Sequence, residues 1–524
     1  MSTFSAWGRP ARRSFGRLLS FLGATFAAPA RLRRKWRAVV RKRRAFFESL
    51  EQRSLLAVAV WDGGGVDDRW STAANWRGDV APRIDDSLVF PVGAARTNNT
   101  NDFASGSRFQ SITIATAGYS ISGNSLVLLE GVAYQGEGGD ASLLTPISLG
   151  AVQSIHSAND NATLVLGAVE LASLQSLTID GRGDVSIQGV VSGSGGLTKS
   201  GDGRLTLAAE NTYQGATTIV QGSVIASRDG AFGATTSGTI VGAGTSVILS
   251  GGVTVAENFA ARDFGAGLDL STRGALRASG GTAAAPNELT GTITLTASAG
   301  IGVDSGGYLK VSGAVLGLPG VSDAGVTKFG AGTLELAGST DNAITGPFSV
   351  LQGAVRLNKT RTASPTDPTP RPFAGPLVIG DAREGVTAPE AARVELMARD
   401  QIPEVDFFST GVLSVTTTAN GTLDLAGYDD RIGGLTMQVG RGSASQVTTG
   451  AGLLTLLGDI AVVGGPGSGS ASPAATICGR LDLGAFFSGL NGGVATRTID
   501  VGDTALPGAS VDLVVAADIT GASH

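Results

Sequence analysis

The chain has a single cysteine, Cys478, and so can form no internal disulfide. Its stability has to come from packing and backbone hydrogen bonds. Histidine is almost as scarce, with only His156 and His524. Composition alone therefore excludes a zinc site built from clustered Cys and His. A Ser-His-Asp triad would have to rest on His156, which lies in the polar stretch Gln153-Ser154-Ile155-His156-Ser157 and reads as an exposed loop residue. Charged residues make up 16% of the chain, against an ordinary share of ~25%. That is too little charge, beside 42% apolar residues, for a disordered chain.

Glycine is what the chain has in excess. It supplies 78 of 524 residues, about twice the ordinary usage. Short apolar segments cut by glycine-rich turns are an all-β signature. A chain of this length needs several cores or a repeat array.

Charge is divided unevenly. Residues 1–54 hold 14 Lys/Arg and 2 Asp/Glu, a net of +12, so the remainder carries −17 of the total −5. A basic leader before an acidic body suggests a targeting segment. Arg9, Arg12, Arg13 and Arg17 precede an apolar stretch, 18–30, that is 13 residues long. A membrane-spanning helix needs about 20, whereas a signal-peptide core needs only ~7–15. A second basic block runs from Arg31 to Arg44. A basic arm can touch nucleic acid or acidic lipid, but nothing downstream resembles a nucleic-acid module, so nucleic acid is not an expected partner.

Internal repetition decides the architecture. Gly196-Leu197-Thr198-Lys199-Ser200-Gly201-Asp202-Gly203-Arg204-Leu205-Thr206-Leu207 and Gly325-Val326-Thr327-Lys328-Phe329-Gly330-Ala331-Gly332-Thr333-Leu334-Glu335-Leu336 agree at seven of twelve positions. Gln221-Gly222 answers Gln352-Gly353. Gly421-Thr422-Leu423-Asp424-Leu425-Ala426-Gly427 echoes 332–338 with one difference. The leucines alternate with polar residues at period two, so Leu205 and Leu207, or Leu334 and Leu336, lie on one face of a strand. One such unit is too short to bury that face. Stacked units can, with the leucines as internal columns.

These segments resemble the autotransporter-associated, or passenger-associated, β-strand repeat. Residues 189–227 form a near-complete copy. A second spans 313–358, with Ser339-Thr340-Asp341-Asn342 in place of Asn211-Thr212-Tyr213, and 413–440 is a partial third. The resemblance implies an all-β, right-handed parallel β-helix carried outside the cell. Trp61-Asp62-Gly63-Gly64-Gly65, Trp70 to Trp76, and Asp85 to Phe90 look like the head unit of such proteins. Three of the five tryptophans lie there, and they read as a cap on the first rung; the rival reading is a sugar-stacking platform. Leu50-Glu51-Gln52-Arg53-Ser54-Leu55-Leu56 resembles the LEPR-XLL sorting motif, with Gln52 where proline is usual, which implies export.

The expected organisation follows. Residues 1–57 are a basic leader, disordered or helical. Residues 58–110 are the Trp-rich cap, and 111–358 a β-solenoid. Residues 359–376, with Pro365, Pro368, Pro370, Pro372 and Pro376, cannot be a central strand and form a protruding loop or a break. Residues 377–524 continue the solenoid. Their last run, 511–521, resembles the opening of a further repeat cut short, as in a truncated reading frame. Only two aromatics, Phe486 and Phe487, follow Tyr428, so no membrane barrel with its aromatic girdles is visible.

No residue emerges as catalytic, cofactor-binding or metal-ligating, and no cofactor is expected. Gly193-Ser194-Gly195-Gly196-Leu197-Thr198-Lys199-Ser200 has a phosphate-loop look, but Thr198 stands where glycine is required and the Thr-Lys pair recurs at 327–328 as part of the repeat. In Asp67-Asp68, Asp85-Asp86 and Asp429-Asp430 adjacent strand residues point to opposite faces, so none is a ready-made dyad. Asp424, Asp429, Asp430 and Arg431 read as a solvated turn, and Cys478 as a small buried residue beside Ile477. The expected function is that of an exported cell-surface scaffold or adhesin-like contact surface and not of an enzyme. Its partners would be polysaccharide, cell-surface components or further copies of the chain. The alternative is a β-helix polysaccharide lyase or glycosidase, which would need carboxylates and basic residues along one groove.

Overall fold

A computed structural model describes residues 57–520 apart from 151–152, 172–175, 266, 268, 270, 322, 361–368, 382–390, 404–412, 466–471, 485–496 and 503–511. Leu56–His524 form one contact unit. The expected leader and the LEPR-XLL-like run lie outside the described residues.

The described chain is all-β, with one short 3-10 turn at Ala73–Asn75 and no α-helix. Its strands pair in parallel, each with a strand about one turn of chain away. The first ladder starts at Val58–Val60 and climbs through Ser87–Phe90, Ser107–Ile114, Leu126–Tyr134 and Gln153–Ser157. It then passes Leu177–Gly181, Leu197–Lys199 and Thr217–Ile219 and ends at Val315–Gly317. The second runs from Asn98–Asn101 through Arg204–Leu207 and Val326–Phe329 to Ile499–Val501. A third begins at Thr254–Val255 and carries Thr333–Leu336, Ala354–Leu357 and Gly421–Asp424. Leu177 lies against Leu197 and Leu197 against Thr217, a step of 20 residues per rung. This is the stacked β-solenoid expected from the repeats.

Period two explains which residues fill it. Leu205, Leu207, Leu334 and Leu336 are all fully buried, and each contributes about 1.5–3 kcal/mol by leaving water. Glycine closes the corners. Gly201 and Gly330 have φ near +75° and +76°, and a Cβ on either would come within 2.3 Å of a carbonyl on the rung below. No other residue fits there.

The proline-rich stretch contains no strand among its described residues. The ladders nevertheless cross it without interruption. Phe348–Val350 pairs with Leu377–Ile379, and Ala354–Leu357 with Ala392–Leu396. The stretch also returns Phe373 to the core, stacked on Phe348 at 5.3 Å between ring centroids.

Candidate functional site: corner clamps and lateral faces

The two repeat copies share a feature that the alternation rule does not reveal, because lysine is by default an outward residue. Lys199 and Lys328 occupy inward-facing strand positions and are buried. The Lys328 ammonium donates to the carbonyls of Phe329 (3.0 Å), Gly330 (2.6 Å) and Gln352 (3.0 Å). Lys199 does the same to Ser200 (2.7 Å), Gly201 (2.6 Å) and, at 3.4 Å, Gln221. Three carbonyls match the three donors of an ammonium group. Burial pushes Lys328 down to about 7 and Lys199 down to about 8, the latter opposed by Asp202, Asp180 and Asp184. The charge-assisted bonds to the carbonyls pull the other way.

Each lysine thus clips its own glycine turn to the Gln-Gly turn of the next rung. Gly222 has φ +77°, and a Cβ there would stand 3.0 Å from the Lys199 Nζ. The shared pattern Thr-Lys, Gly-x-Gly and Gln-Gly is one clamp. The carbonyl-lined site also disposes of the phosphate-loop reading, since a phosphate needs N–H donors.

A second corner is held by asparagine. Asn211 accepts from Val191 N (2.8 Å) and donates to Ala231 O (2.6 Å). Asn342 accepts from Val315 N (2.9 Å) and donates to Pro372 O (3.0 Å). Asn342 is therefore the counterpart of Asn211. Ser339-Thr340-Asp341-Asn342 therefore does not replace the whole Asn-Thr-Tyr run: asparagine comes four residues after Leu207 but six after Leu336. Ile344 then answers Tyr213, and Phe348 answers Thr217. Tyr213 and Thr217 share a buried hydroxyl–hydroxyl bond of 2.6 Å. Ile344 and Phe348, both buried, fill the corresponding positions without polar atoms.

The outer face of the third ladder carries an alternating charge column. Glu288, Lys310, Glu335, Arg356 and Glu395 are direct neighbours on successive rungs. Lys310 reaches Glu288 at 3.2 Å and Arg356 reaches Glu395 at 3.0 Å. Glu335 accepts from the Tyr308 hydroxyl and from Asn358, each at 2.6 Å. Arg393 pairs with Asp424 at the column's end.

The other candidates sort by burial. Trp61, Trp70 and Trp76 are buried, with Trp76 edge-on to the other two and all three rings tilted against Phe90. Their indole N–H groups are spent on Arg96 O, Asn99 Oδ1 and Trp70 O, so no ring face is offered to a sugar. His156 is not in a loop. It stands on the outward side of Gln153–Ser157, between inward Ile155 and Ser157, with Nδ1 2.7 Å from Asp180 Oδ1. Asp430 is not in a solvated turn. It is buried, accepts from the amides of Gln401, Ile402 and Arg431, and burial pushes it up to about 7. Asp67 and Asp85 are held by Thr72 and Arg108 respectively, which lower them. Cys478 is half-buried on the outward side, while Ile477 faces in. Among the described residues no group of three or more His, Cys, Asp or Glu could hold a metal ion, and no helix is long and apolar enough to cross a membrane.

The clamp-bearing segments are the ones that comparison singles out. Residues 197–226 and 326–357 match the family model described as passenger-associated-transport-repeat. The chain carries the autotransporter passenger repeat twice. Each match opens on the Thr-Lys strand and ends on the strand after Gln-Gly, so the passenger repeat coincides with one complete lysine clamp. The looser stretch at 413–440 lies outside the matched residues. No curated protein and no solved structure matches the chain.

Proposed function

We propose that the chain is an exported cell-surface protein that acts as a scaffold or adhesin-like contact surface, and not by catalysis. The observation that carries this reading is the pair of passenger repeats at 197–226 and 326–357, a repeat of polypeptides displayed outside cells. Two features of the sequence support it. The +12 leader and the LEPR-XLL-like run at 50–56 have the make-up and position of export signals. The side chains best suited to chemistry are committed to structural partners: His156 to Asp180, Asp430 to backbone amides, and the repeat lysines to carbonyls.

Protease shaving of intact cells tests the reading. Protease added outside should remove epitopes beyond residue 57 while cytoplasmic markers survive. Full protection of the chain on intact cells, with digestion after lysis, would overturn it.

A further inference from the structure

Lys359 is the third buried lysine among the described residues, and it belongs to neither clamp. Its backbone is fixed from two sides. The flanking amides of Asn358 and Thr360 donate to Leu336 O (2.8 Å) and Gly338 O (3.0 Å) on the preceding rung. On the other side the Gln401 carboxamide accepts from Lys359 N (2.7 Å) and donates to Lys359 O (3.1 Å). The side chain runs back to the preceding rung, where Nζ donates to Thr340 O (2.9 Å) and to Asn342 Oδ1 (3.2 Å). Lys359 and Asn342 are each only 1% exposed, so bulk water does not compete for either group. Burial pushes the ammonium down to about 8, opposed by Asp341, which brings the free amine within reach near neutral pH. Asn342 is placed as an acyl donor. Its Oδ1 also accepts from Val315 N (2.9 Å), a backbone donor aimed at the oxygen where charge would develop under attack. Its Nδ2 is held by Pro372 O (3.0 Å). Asn211 makes the corresponding two bonds, to Val191 N and Ala231 O, without a lysine. The corner is complete without an amine, so Lys359 is an addition to it.

We propose that Lys359 and Asn342 join in an intramolecular isopeptide bond after the chain folds. The lysine nitrogen attacks the side-chain carbonyl carbon of Asn342, one bond beyond the oxygen it already touches. The bond from that carbon to Nζ forms, and its bond to Nδ2 breaks. Of the three protons on the lysine ammonium, one stays on the new amide. The other two pass to the departing nitrogen, which leaves as an ammonium ion. Asp341, whose charge acts on Lys359, can relay them. Atoms and charge balance with no oxidant and no outside reactant. Two groups held together in a packed core gain the proximity that an amine and an amide lack in solution. The product ties two adjacent rungs covalently at the foot of the proline-rich stretch, a staple in a chain that has no disulfide.

The test is mass spectrometry of the purified full chain, digested with trypsin under denaturing conditions. Trypsin cuts after Lys328, Arg356 and Arg361, and after Lys359 only if its side chain is free. The cross-linked chain should yield residues 329–356 and 357–361 as one branched species, lighter than the two peptides together by one ammonia. Lys359→Arg keeps a buried cation that cannot be acylated, and it should release 329–356 alone at full mass. Asn342→Ser should release 357–359 alone. The parent digest decides the matter even where a variant does not fold. Release of 357–359 from the parent beside 329–356 at full mass, loss of ammonia within 329–356 without a branch, or a branched species that survives Lys359→Arg would each overturn the proposal.

Discussion

The ammonium of Lys328 lies 3.0 Å from the carbonyl oxygen of Gln352, 24 residues further along the chain and one rung away. A buried lysine thus bridges consecutive turns of the solenoid. The copy at Lys199 is looser, with its third bond at 3.4 Å. A graded effect is expected from the two sites.

Lys328→Met keeps the apolar stem but orphans three carbonyls. A buried unsatisfied polar group costs about 1–3 kcal/mol, so the loss should be at least ~3 kcal/mol. Lys199→Met should lose less. Urea unfolding, with hydrogen exchange localising the loosened segment to 326–357, measures both. A Lys328→Met chain more stable than the parent would refute the clamp.

Glu257 sets a pH dependence. Burial pushes it up to about 7, opposed by the bond from Thr239, and its Oε2 has no hydrogen-bond partner among the described residues. From the ordinary carboxylate range to about pH 7, the folded chain keeps a proton that the unfolded chain has released. Stability therefore falls as pH rises through that window. Glu257→Gln should remove this component and be the more stable protein at pH 8, by about 3 kcal/mol. Parallel melting curves of parent and variant at pH 4.5 and pH 8 decide it; a difference independent of pH would count against a protonated Glu257.

The charge column predicts unequal tolerance of reversal. Glu335→Lys sets three cations in a row with Lys310 and Arg356 and should cost about 1–2 kcal/mol. Reversing Asp160, whose partner Arg182 is mostly exposed, should cost under ~0.5 kcal/mol. Molar salt should narrow the gap between the two variants. Equal costs at low salt would show that the column contributes nothing beyond exposed pairs.

The hydroxyl pair offers a double-mutant cycle. Thr217→Val alone leaves the Tyr213 hydroxyl buried and unpaired, at about 1–3 kcal/mol. Adding Tyr213→Phe should recover most of that loss, since Ile344 and Phe348 show the site works without polar atoms. Additive losses in denaturation midpoints would mean that the two side chains act independently.

The leucine columns were legible because Leu205, Leu207, Leu334 and Leu336 alternate with polar residues, and alternation is all that a strand needs to declare its faces. The clamps were not. A lysine is turned inward only by carbonyls that converge from another rung, and no local pattern reports them. His156 was misread for a related reason. Its neighbours Gln153 and Ser157 are polar yet face inward, so the stretch lacks the apolar alternation that marks a strand. Cys478 and Ile477 show the reverse: strict alternation separates neighbours that composition had grouped together. Asp430 is buried by amides at 401–402, which sequence distance hides.

The two clamps do not sit one above the other. The Thr-Lys strand of the first copy belongs to the first ladder, whereas Val326–Phe329 occupies the ladder that holds Leu205 and Leu207. Between the copies the motif has advanced by one strand position, so what looks like plain duplication along the chain becomes, in space, a rotation from one side to the next. A rigid receptor that recognised the motif could not grip both copies along a straight line. Bivalent attachment would require it to curl around the stack, or two receptors to approach from different directions.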